Sequence, residues 1–153
     1  SSRDGLRTNS TTTRTATARY QGMGKDGQGS VSTQSGVLKD QRYGFTTRFE
    51  NEPGTNPEEL IAAAHASCFT MALSFGLAKA GVTEGTLETE ARVKLEKEGD
   101  GFKVTRSDLT LTGEVPLDEA KFRELAEDAK KNCPISKLLN AEMDLEIRAR
   151  QPA

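Results

Sequence analysis

The sequence has no tryptophan, and aromatic residues fill only 5% of its 153 positions. Val, Leu, Ile, Phe and Ala must therefore build its core. It holds a single histidine and two cysteines, Cys68 and Cys133. That is too few soft ligands for a closed zinc site within one chain, so no metal is expected. Neither sign of charge is in excess: the formal net charge is −2. Nothing in that balance draws the chain to nucleic acid or to a membrane surface. No apolar run between Ser1 and Tyr20 could serve as a secretory h-region, which makes a cytoplasmic location the expectation. There thiols stay reduced, and a cysteine pair points to catalysis or redox sensing rather than to a structural disulfide.

What is present fits one ordinary domain. Apolar residues make up 34% and charged residues 29%, polar for a globular protein yet not disordered. The polar start and the missing initiator methionine mark residues 1–10 as a disordered arm. Residues 11–150 remain as a single domain. The tail from Glu146, with three charges and Pro152, is expected to fray.

Thr11 to Tyr20, Gly29 to Leu38 and Tyr43 to Glu50 are rich in Thr, Val, Tyr and Phe and predict three strands in an antiparallel meander. A helix follows, with Asn56 as its cap, Pro57 at its first position, and Glu58 and Glu59 at the positive end of its dipole. From Leu60 to Ala80 it is apolar on nearly every side, and Gly81 is a natural stop. The length raises the question of a membrane span. Its many alanines, the interruptions at Ser67, Thr70 and Ser74, and Lys79 near its end argue instead for a helix buried at the centre of the fold. If one subunit cannot cover it, a second must.

Leu87, Thr89, Ala91, Val93 and Leu95 alternate with charged residues, the period of a half-buried strand. Glu98-Gly99-Asp100-Gly101 supplies a hairpin turn. The return strand from Phe102 to Glu114 changes apolar phase, which predicts a bulge near Arg106 to Asp108. Phe122, Leu125, Ala126 and Ala129 fall on one helical face within Leu117 to Lys131. Pro134 to Leu139 suits a short helix, and Met143, Leu145 and Ile147 a last strand. The class is α+β, helices against one face of an antiparallel sheet.

Chemistry centres on few residues. Cys68, midway along the apolar helix, reads by its surroundings as a small buried hydrophobe, since burial raises a thiol's pKa. Reactivity there needs a cation, and Arg48, in Phe45-Thr46-Thr47-Arg48-Phe49, is the candidate. As a strand residue Arg48 shares a face with Thr46, and its plain reading is an exposed arginine. Cys133 precedes Pro134 and can cap the short helix, where the dipole favours a thiolate. His65 shares a helix face with Cys68; a Cys–His pair is one reading, a hydrogen-bonded core histidine the plainer one. Glu58 fits either a helix start or an anchor for an arginine. Gly22-Met23-Gly24 lacks the strand–loop–helix setting of a phosphate loop. Spacing alone does not say which cysteine reacts first.

Gly54-Thr55-Asn56-Pro57-Glu58-Glu59-Leu60-Ile61-Ala62-Ala63-Ala64-His65-Ala66-Ser67-Cys68 resembles the helix-start and cysteine motif of the OsmC/Ohr family. Lys131-Asn132-Cys133-Pro134-Ile135-Ser136-Lys137 resembles its second cysteine motif. Ser32 to Leu38, with Tyr43-Gly44-Phe45 and Arg48-Phe49, is more similar to the OsmC branch than to the Ohr branch. The resemblance spans about Arg14 to Ile147 and implies an OsmC-like fold: antiparallel sheets, a long buried central helix and an intertwined homodimer with interfacial sites. It implies a thiol peroxidase for organic hydroperoxides, and hydrogen peroxide as a possible second substrate. Cys68 would attack the peroxide and Cys133 resolve the sulfenic acid to a disulfide, with Arg48 stabilising the thiolate and Glu58 holding Arg48. No bound cofactor is implied. An external dithiol, a lipoylated protein among the candidates, would restore the pair. Phe69, Met71 and Leu73, or their counterparts across the dimer, would supply apolar surroundings for the substrate. The alternatives are a thiol redox sensor and a non-enzymatic stress-response binding protein.

Overall fold

The structure, a computed structural model, describes residues 11–150; the expected arm at residues 1–10 lies outside the described residues. The chain divides between Asn56 and Pro57 into two compact units.

The N-terminal unit is an antiparallel meander of β1 (Ala16–Gln21), β2 (Gln28–Thr33) and β3 (Gln41–Tyr43), followed by the short helix α1 (Phe45–Phe49). Gly29 allows the sheet to form as it does. A Cβ there would meet the Tyr43 ring at 2.6 Å and the Tyr20 ring at 2.9 Å, so only glycine admits both tyrosines. The expected strand from Tyr43 to Glu50 is instead largely α1, because local side chains satisfy a helical backbone there. The Thr47 hydroxyl donates to the Gly44 carbonyl at 3.0 Å and accepts from the Gly44 N–H at 2.7 Å. The Asn56 amide donates to the Thr47 carbonyl at 3.0 Å, meeting an acceptor that the helix end leaves open. These bonds outweigh the β-propensity of the phenylalanines and threonines.

The C-terminal unit consists of α2 (Pro57–Lys79), β4 (Thr86–Glu98), β5 (Gly101–Glu114), α3 (Glu119–Asn132), α4 (Pro134–Leu138) and β6 (Leu145–Arg150). Pro57 opens α2 as expected. Gly81, at φ +92°, closes it: the Val82 N–H reaches the Leu77 carbonyl at 2.9 Å and the Gly81 N–H reaches Ala78 at 3.0 Å. This is the paired bonding of a Schellman stop. α2 is long and apolar enough to cross a membrane, but His65, Phe69, Leu73 and Leu77 form a buried stripe along it that is the heart of this unit's core. Its burial is one-sided, not all-round: Met71 and Phe75, on the other side, remain 61% and 67% exposed.

The sheet order is β4-β5-β6. Gly99, at φ +60°, turns the β4–β5 hairpin with Asp100, as a two-residue turn requires. The bulge falls at Thr105, just before the expected interval, since Lys94 pairs with Arg106 and Leu95 with Val104. The phase set by this extra residue turns Ser107, Leu109, Leu111 and Gly113 inward. The Phe122 ring of α3 lies where a Cβ on Gly113 would stand. β6 does not fray: its Leu145 and Ile147 pair with Leu109 and Leu111. It runs parallel to β5, so the sheet is mixed rather than wholly antiparallel. Arg106 secures that edge, forking onto both Asp108 oxygens at 3.0 Å and reaching Asp144 at 2.9 Å.

Candidate functional site

The site grows from the junction of α3 and α4. Cys133 ends α3 and caps α4, its backbone extended at φ −63°, ψ 136° between two helical stretches. Pro134 at the first position of α4 enforces this break. The Cys133 sulfur, 1% exposed, accepts from the Ser136 N–H and the Ser136 hydroxyl, each at 3.4 Å. The expected capping role of Cys133 is therefore present.

Cys68 lies on α2, half-buried, and packs against the core cluster that holds Cys133, near enough for each thiol to influence the other's ionisation. Burial pushes the Cys68 thiol up; the Ile135 N–H opposes this, and the neighbouring Cys133 adds to the rise. Burial acts on Cys133 in the same sense. There, however, the Ser136 hydroxyl and N–H, together with Cys68 and the Ile135 N–H, hold the thiol below its ordinary value. Within this unit Cys133 is therefore the more acidic of the two thiols.

His65 is fully buried, and both its ring nitrogens are engaged: Nδ1 with the Ser107 hydroxyl at 2.6 Å, Nε2 with the Ser136 hydroxyl at 2.8 Å. Burial holds its pKa below the ordinary value, so the ring is neutral. The plainer reading of His65 as a hydrogen-bonded core histidine holds, and the Cys68–His65 pair does not form. The residues that sequence reasoning missed are Ser107 and Ser136. Ser136 carried a signal, standing three residues after a capping cysteine. Ser107 carried none until the bulge fixed the phase of β5.

Glu58 lies in the first turn of α2. Arg48 belongs to the N-terminal unit, on α1 rather than on a strand, its guanidinium 5.6 Å from the centre of the Phe49 ring. The structure thus brings Cys68 and Cys133 together with His65, Ser107 and Ser136. The expected apolar surroundings differ as well: Phe69 and Leu73 are fully buried in the core. A cavity of about 290 Å³ against Cys133 is lined instead by Ala72, Phe75 and Leu125, with Lys79 and Asp128 among its polar residues. Among the described residues, no group of three or more His, Cys, Asp or Glu side chains gathers as a metal site would.

Comparison with known proteins places this arrangement. The sequence model of the family described as OsmC-like protein matches residues 49–148. Peroxiredoxin OsmC of Escherichia coli K12 is 48% identical over 134 residues, 87% of this chain and 94% of the relative. Organic hydroperoxide resistance protein OhrB of Bacillus subtilis is 35% identical over 124 residues, 80% of this chain and 89% of the relative. The crystal structure of that OhrB superposes with a TM-score of 0.69 at 31% identity, covering 91% of this chain and 98% of its own. An OsmC-like protein of unknown function from Vibrio cholerae, at 16% identity, shares the fold with a TM-score of 0.72. From its sequence, its fold and its apposed cysteines, the chain belongs to the OsmC-like family.

Proposed function

We propose that the protein is a cysteine-based peroxidase that reduces organic hydroperoxides. The observation that carries this reading is the apposition of Cys68 and Cys133, residues distant in sequence that α2 and the α3–α4 junction bring into one cluster. The names of the E. coli and B. subtilis relatives support it. The Cys68 thiolate attacks one peroxide oxygen, the O–O bond breaks, and the departing alkoxide takes up a proton as an alcohol. Cys133 then displaces hydroxide from the Cys68 sulfenic acid, forming the disulfide and water. An external dithiol returns both thiols by exchange; its electrons come in our reading from a lipoylated protein.

Burial raises the Cys68 thiol in the setting just described, so a cation beside it is needed to favour its thiolate. Arg48 is assigned that task and Glu58 the task of orienting it. Residues 11–150 act as one domain in this scheme, and a second copy of the chain covers the exposed apolar face of α2 at Met71 and Phe75. The working compartment is the cytoplasm. The apolar walls at Ala72, Phe75 and Leu125 favour alkyl over hydrogen peroxide. Multiple-turnover consumption of cumene hydroperoxide in the presence of lipoylated carrier or dihydrolipoamide tests the proposal. A single stoichiometric oxidation without turnover would instead make the protein a redox sensor. The order of thiol acidities favours a second reading, in which Cys133 is the first nucleophile. Oxygen trapped on Cys133 in Cys68→Ser would establish it.

A further inference from the structure

His65 links the cysteine site to a strand that otherwise takes no part in it. A neutral imidazole has one N–H and one lone pair, so its bonds to Ser107 and Ser136 must run in opposite senses. The Ser136 hydroxyl has a single proton and two takers, the His65 Nε2 at 2.8 Å and the Cys133 sulfur at 3.4 Å. With the ring proton on Nδ1, Ser136 must donate to Nε2, and the sulfur loses that hydroxyl, keeping the Ser136 and Ile135 N–H groups. With the ring proton on Nε2, the Ser136 oxygen accepts from the ring and its own proton is committed to sulfur. The Ser107 hydroxyl, 2.6 Å from Nδ1, serves the second arrangement when it donates to that nitrogen. Three elements, β5, α2 and α4, thereby set the donor count at one sulfur atom.

We propose that Ser107, His65 and Ser136 form a positioning relay in which the Nε2–H tautomer of His65 directs the Ser136 proton onto Cys133 and keeps it ready to react as a thiolate. The proposal rests on the reading of Cys133 as the thiol that attacks the Cys68 sulfenic acid, and deepens it. The relay moves no net proton; it orients three. The other groups facing Cys133 are Cys68 and the Ile135 N–H, with Lys79 of α2 and Asp128 of α3 on the wall of the adjoining cavity.

His65 is the only histidine in the sequence, so the ¹⁵N shifts of labelled, reduced wild-type protein report its tautomer without assignment. The expected result is a neutral ring protonated at Nε2. A ring protonated at Nδ1, or one that titrates at its ordinary value, overturns the relay. The second arm follows thiolate absorbance against pH in a Cys68→Ser background, where Cys133 is the one thiol. Ser136→Ala moves the midpoint upward by about one unit, a roughly tenfold loss of thiolate below the midpoint. Ser107→Ala, which touches no sulfur, moves it in the same direction, and Ser107→Thr restores it by returning a hydroxyl. A midpoint unmoved by either alanine overturns the proposal. If an alanine variant fails to fold, the wild-type tautomer decides. Neither arm uses peroxide, so a failed relay and a failed peroxidase reading are told apart.

Discussion

Acidification through the histidine range should destabilise this protein by an amount traceable to His65. In the fold the ring is fully buried between Ser107 and Ser136, and burial lowers its pKa from the unfolded value of 6.5. Below 6.5 the unfolded chain therefore binds a proton that the folded chain refuses. The stability that the neutral ring contributes is present above that pH and is lost as the pH falls, until the folded ring itself protonates. For one proton the loss proceeds at up to about 1.4 kcal/mol per pH unit. Going from about pH 7.5 to about pH 5.5 then removes at most about 1.4 kcal/mol, or at most about 0.7 M in urea midpoint for an m-value of about 2 kcal/mol/M. No other histidine is present to titrate in this window. The Asp108 carboxyl, held below the usual range chiefly by Arg106, acts in a lower window. Its share of stability is lost only as the pH falls through its depressed value. The assay is urea unfolding at fixed protein concentration, with His65→Gln alongside, since dimerisation would make stability concentration-dependent. The variant should show a flat profile over the same range. Wild-type stability that holds or rises on acidification would refute the argument from burial.

Further outcomes follow from particular contacts. Gly113→Ala places a methyl in the Phe122 ring and should cost about 1–3 kcal/mol by overpacking, read as a lowered unfolding midpoint; unchanged stability would mean that the ring is not seated there. Met71→Glu puts a charge on the exposed apolar side of α2 and should reduce the proposed dimer to a monomer in light scattering. A wild-type protein that is already monomeric removes the dimer from the account. Arg48→Ala in a Cys133→Ser background should make Cys68 alkylate with a higher pH midpoint, and an identical profile would end the role assigned to Arg48.

Much of the C-terminal unit was legible because its signals are local. Pro57 and Gly81 mark the ends of α2, strict alternation marks β4, and Gly99-Asp100 marks the hairpin. Pro134 after Cys133 foretold the capping thiol. The failures have equally definite causes. Strand alternation is the same for parallel and antiparallel partners, so the direction of β6 beside β5 was not encoded in its pattern. α1 was hidden because its threonines and phenylalanines favour strands, and only bonds from Thr47 and Asn56 to the backbone make the helix the better state. Apolarity around the whole of α2 was plain in the sequence, but which side this chain covers became clear only from the packing of Phe69, Leu73 and Leu77. The surroundings of His65 depend on partners 42 and 71 positions away. No spacing rule reaches that far.

The central claim is that Cys68 and Cys133 work as a redox pair with Cys68 attacking first. Intact mass after one equivalent of cumene hydroperoxide tests it most directly, with Cys133→Ser and Cys68→Ser beside the wild type. The account predicts a loss of about 2 Da in wild type, as the two thiols join, and a gain of about 16 Da on Cys68 in Cys133→Ser, with Cys68→Ser unchanged. Wild-type protein that neither loses hydrogen nor gains oxygen would contradict it, as would oxygen appearing only on Cys133 in the Cys68→Ser variant.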